Sequence, residues 1–134
     1  MSSSGAERLL VLALASSAGV HGALVPAHAA EAPLLGALFA LAAILLAALT
    51  VSMTRGPGAV ALSGAALLLA GLLAAYVATR FVVLPPLTHP EPVDVLGAIT
   101  KLIEAGGLVL ALRLLGTRAS SAAALPALQE GAVR

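Results

Sequence analysis

Apolar residues in this chain come in long runs, not at the alternating or amphipathic spacing of a soluble fold. The first run covers residues 9–25, between the pair Glu7-Arg8 and Pro26. The second covers 34–53 without a charge, and the third covers 59–84 with Arg80 near its end. The fourth covers 93–115, and Gly116 closes it. The segments between them carry helix breakers. These are Pro26 and Pro33, then Thr54-Arg55-Gly56-Pro57-Gly58, then Pro85-Pro86-Leu87-Thr88-His89-Pro90-Glu91-Pro92 with its four prolines. A helix crosses a bilayer with roughly 20 apolar residues. Runs two to four meet that length; run one is shorter and carries Ser16, Ser17 and His21. The pattern predicts an all-α protein, a four-transmembrane-helix bundle running up-down-up-down over residues 1–116. A polar, Ala-rich tail follows over 117–134.

Composition agrees with that reading. Of 134 residues, 60% are hydrophobic and 10% charged, and the mean hydropathy is +1.09. Soluble domains hold about 45–50% apolar and about 25% charged residues. A small domain keeps much of its surface in water and could not hide this excess. The lipid bilayer is therefore the expected solvent. A net charge of only +1 and 2% aromatic residues leave nucleic-acid binding without an electrostatic footprint or a stacking platform. The absence of Cys excludes disulfides, thiolate metal sites and thiol catalysis.

Lys and Arg near the helix ends predict the orientation. With the N-terminus inside, the inner side holds Arg8, Arg55, Arg113, Arg118 and Arg134, and the outer side holds Arg80. Lys101 lies within helix four. Both termini are thus expected in the cytoplasm, with outer loops near 26–33 and 85–92, in a multi-pass protein of the inner membrane. Residues 1–29 also have the form of a secretory signal, with Ala27-His28-Ala29 as its cleavage site. The fit is loose, because a histidine stands two residues before the cut and the apolar run exceeds a bare signal core. The expectation is retention.

This topology sorts the unusual side chains to the outer side: His21, His28, Glu31, Tyr76, Arg80, His89, Glu91 and Asp94. All three histidines fall there. Imidazole and carboxylate suit zinc or copper, which makes His21, His28, His89, Glu31 and Asp94 a candidate metal set. Haem between His21 and His89 is a lesser alternative. His21 and His28 stand two helical turns apart, about 10 Å, so a shared ion requires a bend at Pro26. The bland alternative is a set of solvated polar residues at helix ends, with Arg80 paired to Glu91 or Asp94. Within helix four, Asp94, Gly97, Lys101, Glu104 and Leu108 share one face. Lys101 and Glu104 are intramembrane charges, which are rare and usually face the bundle interior or a partner. Their spacing predicts an i,i+3 pair; a proton or ion relay is the sharper alternative. Ser16, Ser17 and Ser63 are expected to bond to backbone carbonyls in their own helices. Gly36, Ala40, Ser63, Gly64, Gly71, Gly97, Gly106 and Gly107 allow close helix approach. No phosphate loop, nucleophile elbow or zinc-protease motif occurs, so no catalytic residue is assigned.

These residues resemble a group of small four-helix integral membrane proteins of GC-rich bacteria. The matching positions are His21 and His28, Glu31 with Pro33, Arg80, Pro85, Glu91-Pro92-Val93, Asp94 and Glu104, within residues 20–112. Lys101 departs from the pattern. The group has no settled activity, so the resemblance implies a topology and no chemistry. The leading functional expectation is a non-enzymatic accessory or assembly subunit, packed beside other membrane subunits or a second copy of itself. Metal binding or delivery at the outer surface, and a small proton or ion conduit, are the alternatives.

Overall fold

The computed structural model describes residues 3–83 and 90–131, with side chains through residue 121. Those residues form four helices: α1 Ser3–Glu31, α2 Pro33–Thr54, α3 Ala59–Phe81 and α4 Val95–Gly131. Each has a stretch long and apolar enough to cross a membrane, with 29, 22 and 23 residues in α1 to α3 and 27 in Val95–Ser121 of α4. The chain is a small integral membrane protein. Helices suit this setting because every backbone N–H and C=O in hydrocarbon must be satisfied within the segment. Large apolar side chains such as Ile44, Val60, Leu67 and Leu102 point outward and stand exposed, as lipid-facing residues do.

The helix ends differ from the expected runs: α1 starts already at Ser3 and α3 ends at Phe81, and at three further places the difference has a clear physical reason. Pro26 does not end α1, which runs on to Glu31. A proline inside a helix removes one N–H and frees one carbonyl, a disruption that membrane helices tolerate. The expected loop over 26–33 thus shrinks to Ala32. That residue is extended (φ −152°, ψ 123°), and Pro33 then opens α2. Extended backbone is what a residue before proline prefers, and the first helical position needs no N–H. At the other connection, α4 begins after Asp94, whose Oδ1 accepts the Gly97 N–H at 2.7 Å. Asp94 is the N-cap that sets this helix start. Finally, Gly116 does not close α4, which continues to Gly131. Glycine inside a helix costs only about 1 kcal/mol, and Arg118 ties this extension to Glu7 of α1 at 3.5 Å.

The helices form a ring in the order α2, α1, α4, α3, and the α2–α3 seam is the loosest. The bundle has a loop end, with Ala32 and the connection from α3 to α4, and a terminal end with the Arg55–Gly58 turn and the start of α1. In lipid there is little hydrophobic drive between helices, so close packing holds them together. Two glycines allow it. At Gly36 an added Cβ would lie 2.5 Å from the Cβ of Ala29. At Gly107 it would lie 3.2 Å from Ala13 and from Leu69. Gly71 and Gly106 meet nothing within 4 Å.

The two halves of the bundle are packed differently. The centre of the terminal half is solid: Leu10, Leu14, Leu46, Leu62 and Leu69 are fully buried and pack with Ala65 and Ala111. The loop half surrounds a cavity of about 450 Å³.

Candidate functional site

The floor of the cavity is built on Glu104. Its place in α4 is about 14 Å below Val95 at 1.5 Å per residue, and its side chain has 0% exposure. Lys101, one turn nearer the loop end, places Nζ 2.6 Å from Glu104 Oε2. Ser17 of α1 donates its hydroxyl to Oε1 at 2.6 Å. This corrects the expectation that Ser17 bonds within its own helix. The crossing bond is possible because Gly107, one turn along α4, lets Ala13 of α1 come close. His21 stands one turn above Ser17. Its Nδ1 lies 2.9 Å from the Ser17 carbonyl and 3.9 Å from Glu104 Oε1. A carbonyl only accepts, so Nδ1 carries the hydrogen, and Nε2 of the neutral ring is an acceptor.

Ser17, His21 and Glu104 do not form a nucleophilic triad. The hydroxyl donates straight to the carboxylate, and the imidazole nitrogen nearest it, Nδ1 at 3.3 Å from Ser17 Oγ, carries its hydrogen toward the Ser17 carbonyl and so cannot take the hydroxyl proton. Ser17 is also 1% exposed, which leaves no room for a substrate carbonyl beside it.

One wall comes from α1 and α2. His28 stacks on Phe39 with ring centroids 3.8 Å apart, and the same ring lies 5.4 Å from that of His21. His28 donates Nδ1–H to the Leu24 carbonyl at 2.9 Å, which in the neutral ring leaves Nε2 as an acceptor. The opposite wall comes from α3 and α4. Arg80 lies over the Tyr76 ring, 4.0 Å from its centroid, and Lys101 Nζ lies 5.5 Å from the same ring. Leu24, Leu35, Leu38, Leu72 and Leu96 complete an apolar lining.

The mouth holds Arg80, Glu91 and Asp94. Of the two expected partners of Arg80, Glu91 and Asp94, it is Asp94 that lies within reach, at 4.0 Å between Nη2 and Oδ2. Glu91 is instead fastened through its backbone, whose N–H donates to the Thr79 carbonyl at 2.9 Å. Asp94 is 58% exposed, so this ion pair contributes little to stability. Among the described residues, Tyr76 Oη, Arg80 Nε and Glu91 Oε1 are buried without a hydrogen-bond partner. All three belong to residues that line the cavity.

Among the described residues, the candidate metal set is not assembled. His89 lies outside the described residues, as do Pro85 and its neighbours. Because α1 continues through Pro26, His21 and His28 stay two turns apart, with both rings against Phe39. Glu31 is exposed at the end of α1, and Asp94 belongs to the far wall. Among the described residues, no group of three or more His, Asp or Glu comes together as metal ligands. Phe39 and Ser17 are the site residues that sequence reasoning missed. Comparison with known proteins adds no assignment: no protein-family model, curated protein or solved structure matches this chain.

Proposed function

We propose that this integral membrane protein is a small-molecule binding protein, non-enzymatic, whose cup opens at the outer face of the cell membrane. One observation carries the reading. A ligand-sized cavity, mostly apolar but with convergent polar groups, stands over a buried ionic floor and is closed below by leucine packing. Cavities of roughly 300–1,000 Å³ with a few placed polar groups are the usual form of a small-molecule site. Placing the cup outside rests on the excess of Arg at the terminal end. Kinship with the small four-helix proteins named above rests on the short motifs given there and brings a topology without a chemistry.

The core argues against a continuous conduit. The network Lys101, Glu104, Ser17, His21 touches the cavity on one side only. Beyond it lie Leu10, Leu14 and Leu69, all with 0% exposure. Purified protein in liposomes is therefore expected to dissipate a proton gradient no faster than empty vesicles. A flux abolished by Glu104→Gln would replace the cup with a relay.

The direct test is native mass spectrometry after gentle extraction. A small-molecule adduct is expected, on a polypeptide that retains residues 1–29, because α1 supplies one cavity wall and the Ser17 bond. Ala42 is nearly buried and lines the cavity, so Ala42→Phe should fill it and remove the adduct while helicity is unchanged. An adduct that survives Ala42→Phe, or a mass that begins near Ala30, would refute the reading.

The loose α2–α3 seam supports a second reading, the accessory subunit. In the terminal half it leaves a cleft of about 650 Å³ lined by the small residues Ala48, Ser52, Gly58, Ala61 and Gly64 together with leucines. Such faces suit the approach of another helix. Cross-linking from Ala48→Cys and Ala61→Cys in native membranes should then give one discrete larger species. Only lipid adducts there would dismiss it.

A further inference from the structure

We infer that the ligand of the cup is a compact organic cation with net charge +1, an ammonium on an apolar body; this rests on the small-molecule reading above. The charges around the cavity do not balance. Lining it are the cations Arg80 and Lys101 and the carboxylates Glu91 and Asp94. Directly behind Lys101 is Glu104. Among the described residues, two positive and three negative groups leave one formal negative charge.

Geometry identifies where the surplus lies. Lys101 is matched to Glu104 at 2.6 Å, and the cation nearest Asp94 is Arg80, at 4.0 Å. Glu91 is left over. Its backbone is held by the Thr79 carbonyl, which keeps the residue at the mouth, and its Oε1 is buried with no donor. A buried acceptor without a donor is costly, and a charged donor relieves it most. The other wall agrees. Both histidines place Nδ1 against a carbonyl of their own helix, so in the neutral rings two Nε2 atoms of cavity-lining residues serve as acceptors for N–H groups. The unpartnered donors Tyr76 Oη and Arg80 Nε suit one acceptor oxygen on the same molecule. A bare metal ion fits poorly, because no group of three His, Asp or Glu ligands is assembled among the described residues. Leu24, Phe39 and Leu72 suit a hydrocarbon body.

The test uses three probes of nearly equal shape and different charge: 2-phenylethylammonium, 2-phenylethanol and 3-phenylpropanoate. Each is titrated calorimetrically into the purified full chain in detergent, against empty micelles. The ammonium should bind about ten-fold or more tightly than the alcohol, and the carboxylate weakest, as expected for one charge-assisted hydrogen bond. Glu91→Gln should bring the ammonium down to the affinity of the alcohol and leave the alcohol unchanged. Asp94→Asn keeps a capping side chain and serves as the second variant should Glu91→Gln fold poorly; it should weaken ammonium binding in the same direction. Binding of the carboxylate at least as tight as that of the ammonium overturns the inference. So does an ammonium preference that survives both variants. If a native adduct is present but none of the probes binds, the cation class falls and the cup stands. If neither adduct nor probe is bound, both fall.

Discussion

Lys101→Met is expected to be the most destabilising single change at the site, by about 3–5 kcal/mol, the usual penalty for breaking a buried ion pair from one side. The size follows from the difference between the two partners. Glu104 has 0% side-chain exposure, whereas Lys101 has 15% and borders the cavity. Removing the lysine strands a carboxylate that, among the described residues, keeps only the Ser17 hydroxyl at hydrogen-bond distance. Removing the carboxylate by Glu104→Gln leaves a long, flexible ammonium that can move into the cavity, and the amide still accepts from Ser17. That variant should lose only about 1–2 kcal/mol. The double variant Lys101→Met/Glu104→Gln has no stranded charge and should be more stable than Lys101→Met alone by about 2 kcal/mol, since apolar replacement of a whole buried pair is often neutral. Unfolding in mixed detergent micelles gives all four corners of this cycle. Additive losses, or a harmless Lys101→Met, would mean that the two residues do not act as a pair.

The sequence reveals some of this site and hides the rest for identifiable reasons. Four apolar runs were enough for the four helices, because lipid imposes one solution on such runs. Lys101 and Glu104 are conspicuous as charges in an apolar segment. Ser17 is not, since serine is common in membrane helices and its partner lies 87 residues away. A signal was nonetheless available. Leu10, Leu14, Ser17 and His21 follow one stripe of α1, and all four are buried. A stripe that changes from leucine to polar residues marks where a core gives way to a site. Pro26 and Gly116 misled in the opposite sense, because breaker rules learned from helices in water overstate their effect in this chain. The acid partner of Arg80 was open in the sequence, since Glu91 and Asp94 are three residues apart and only the cap at Asp94 fixes their places.

Gly36→Ala should separate helix packing from site chemistry. Its new methyl group would lie 2.5 Å from Ala29 Cβ, 2.6 Å from Ala29 Cα and 2.8 Å from Ala29 N. Two of those atoms are backbone, so no rotamer change relieves the contact. The helices must part along α1–α2, the most extensive pairing in the bundle. The expected loss is about 3 kcal/mol, at the upper end for overpacking. Ala29→Gly should fail to rescue it, because the backbone contacts remain when the Ala29 methyl is removed. Gly71→Ala and Gly106→Ala, which meet open space, should stay within about 0.5 kcal/mol of the parent. The same separation reaches the cup, because Phe39 lies one turn beyond Gly36 and its stacking on His28 spans this helix pair. Gly36→Ala should therefore lose the ligand adduct as well as stability, although Gly36 does not line the cavity. A stable Gly36→Ala protein, or one rescued by Ala29→Gly, would mean that α1 and α2 do not meet as closely as this at the loop end.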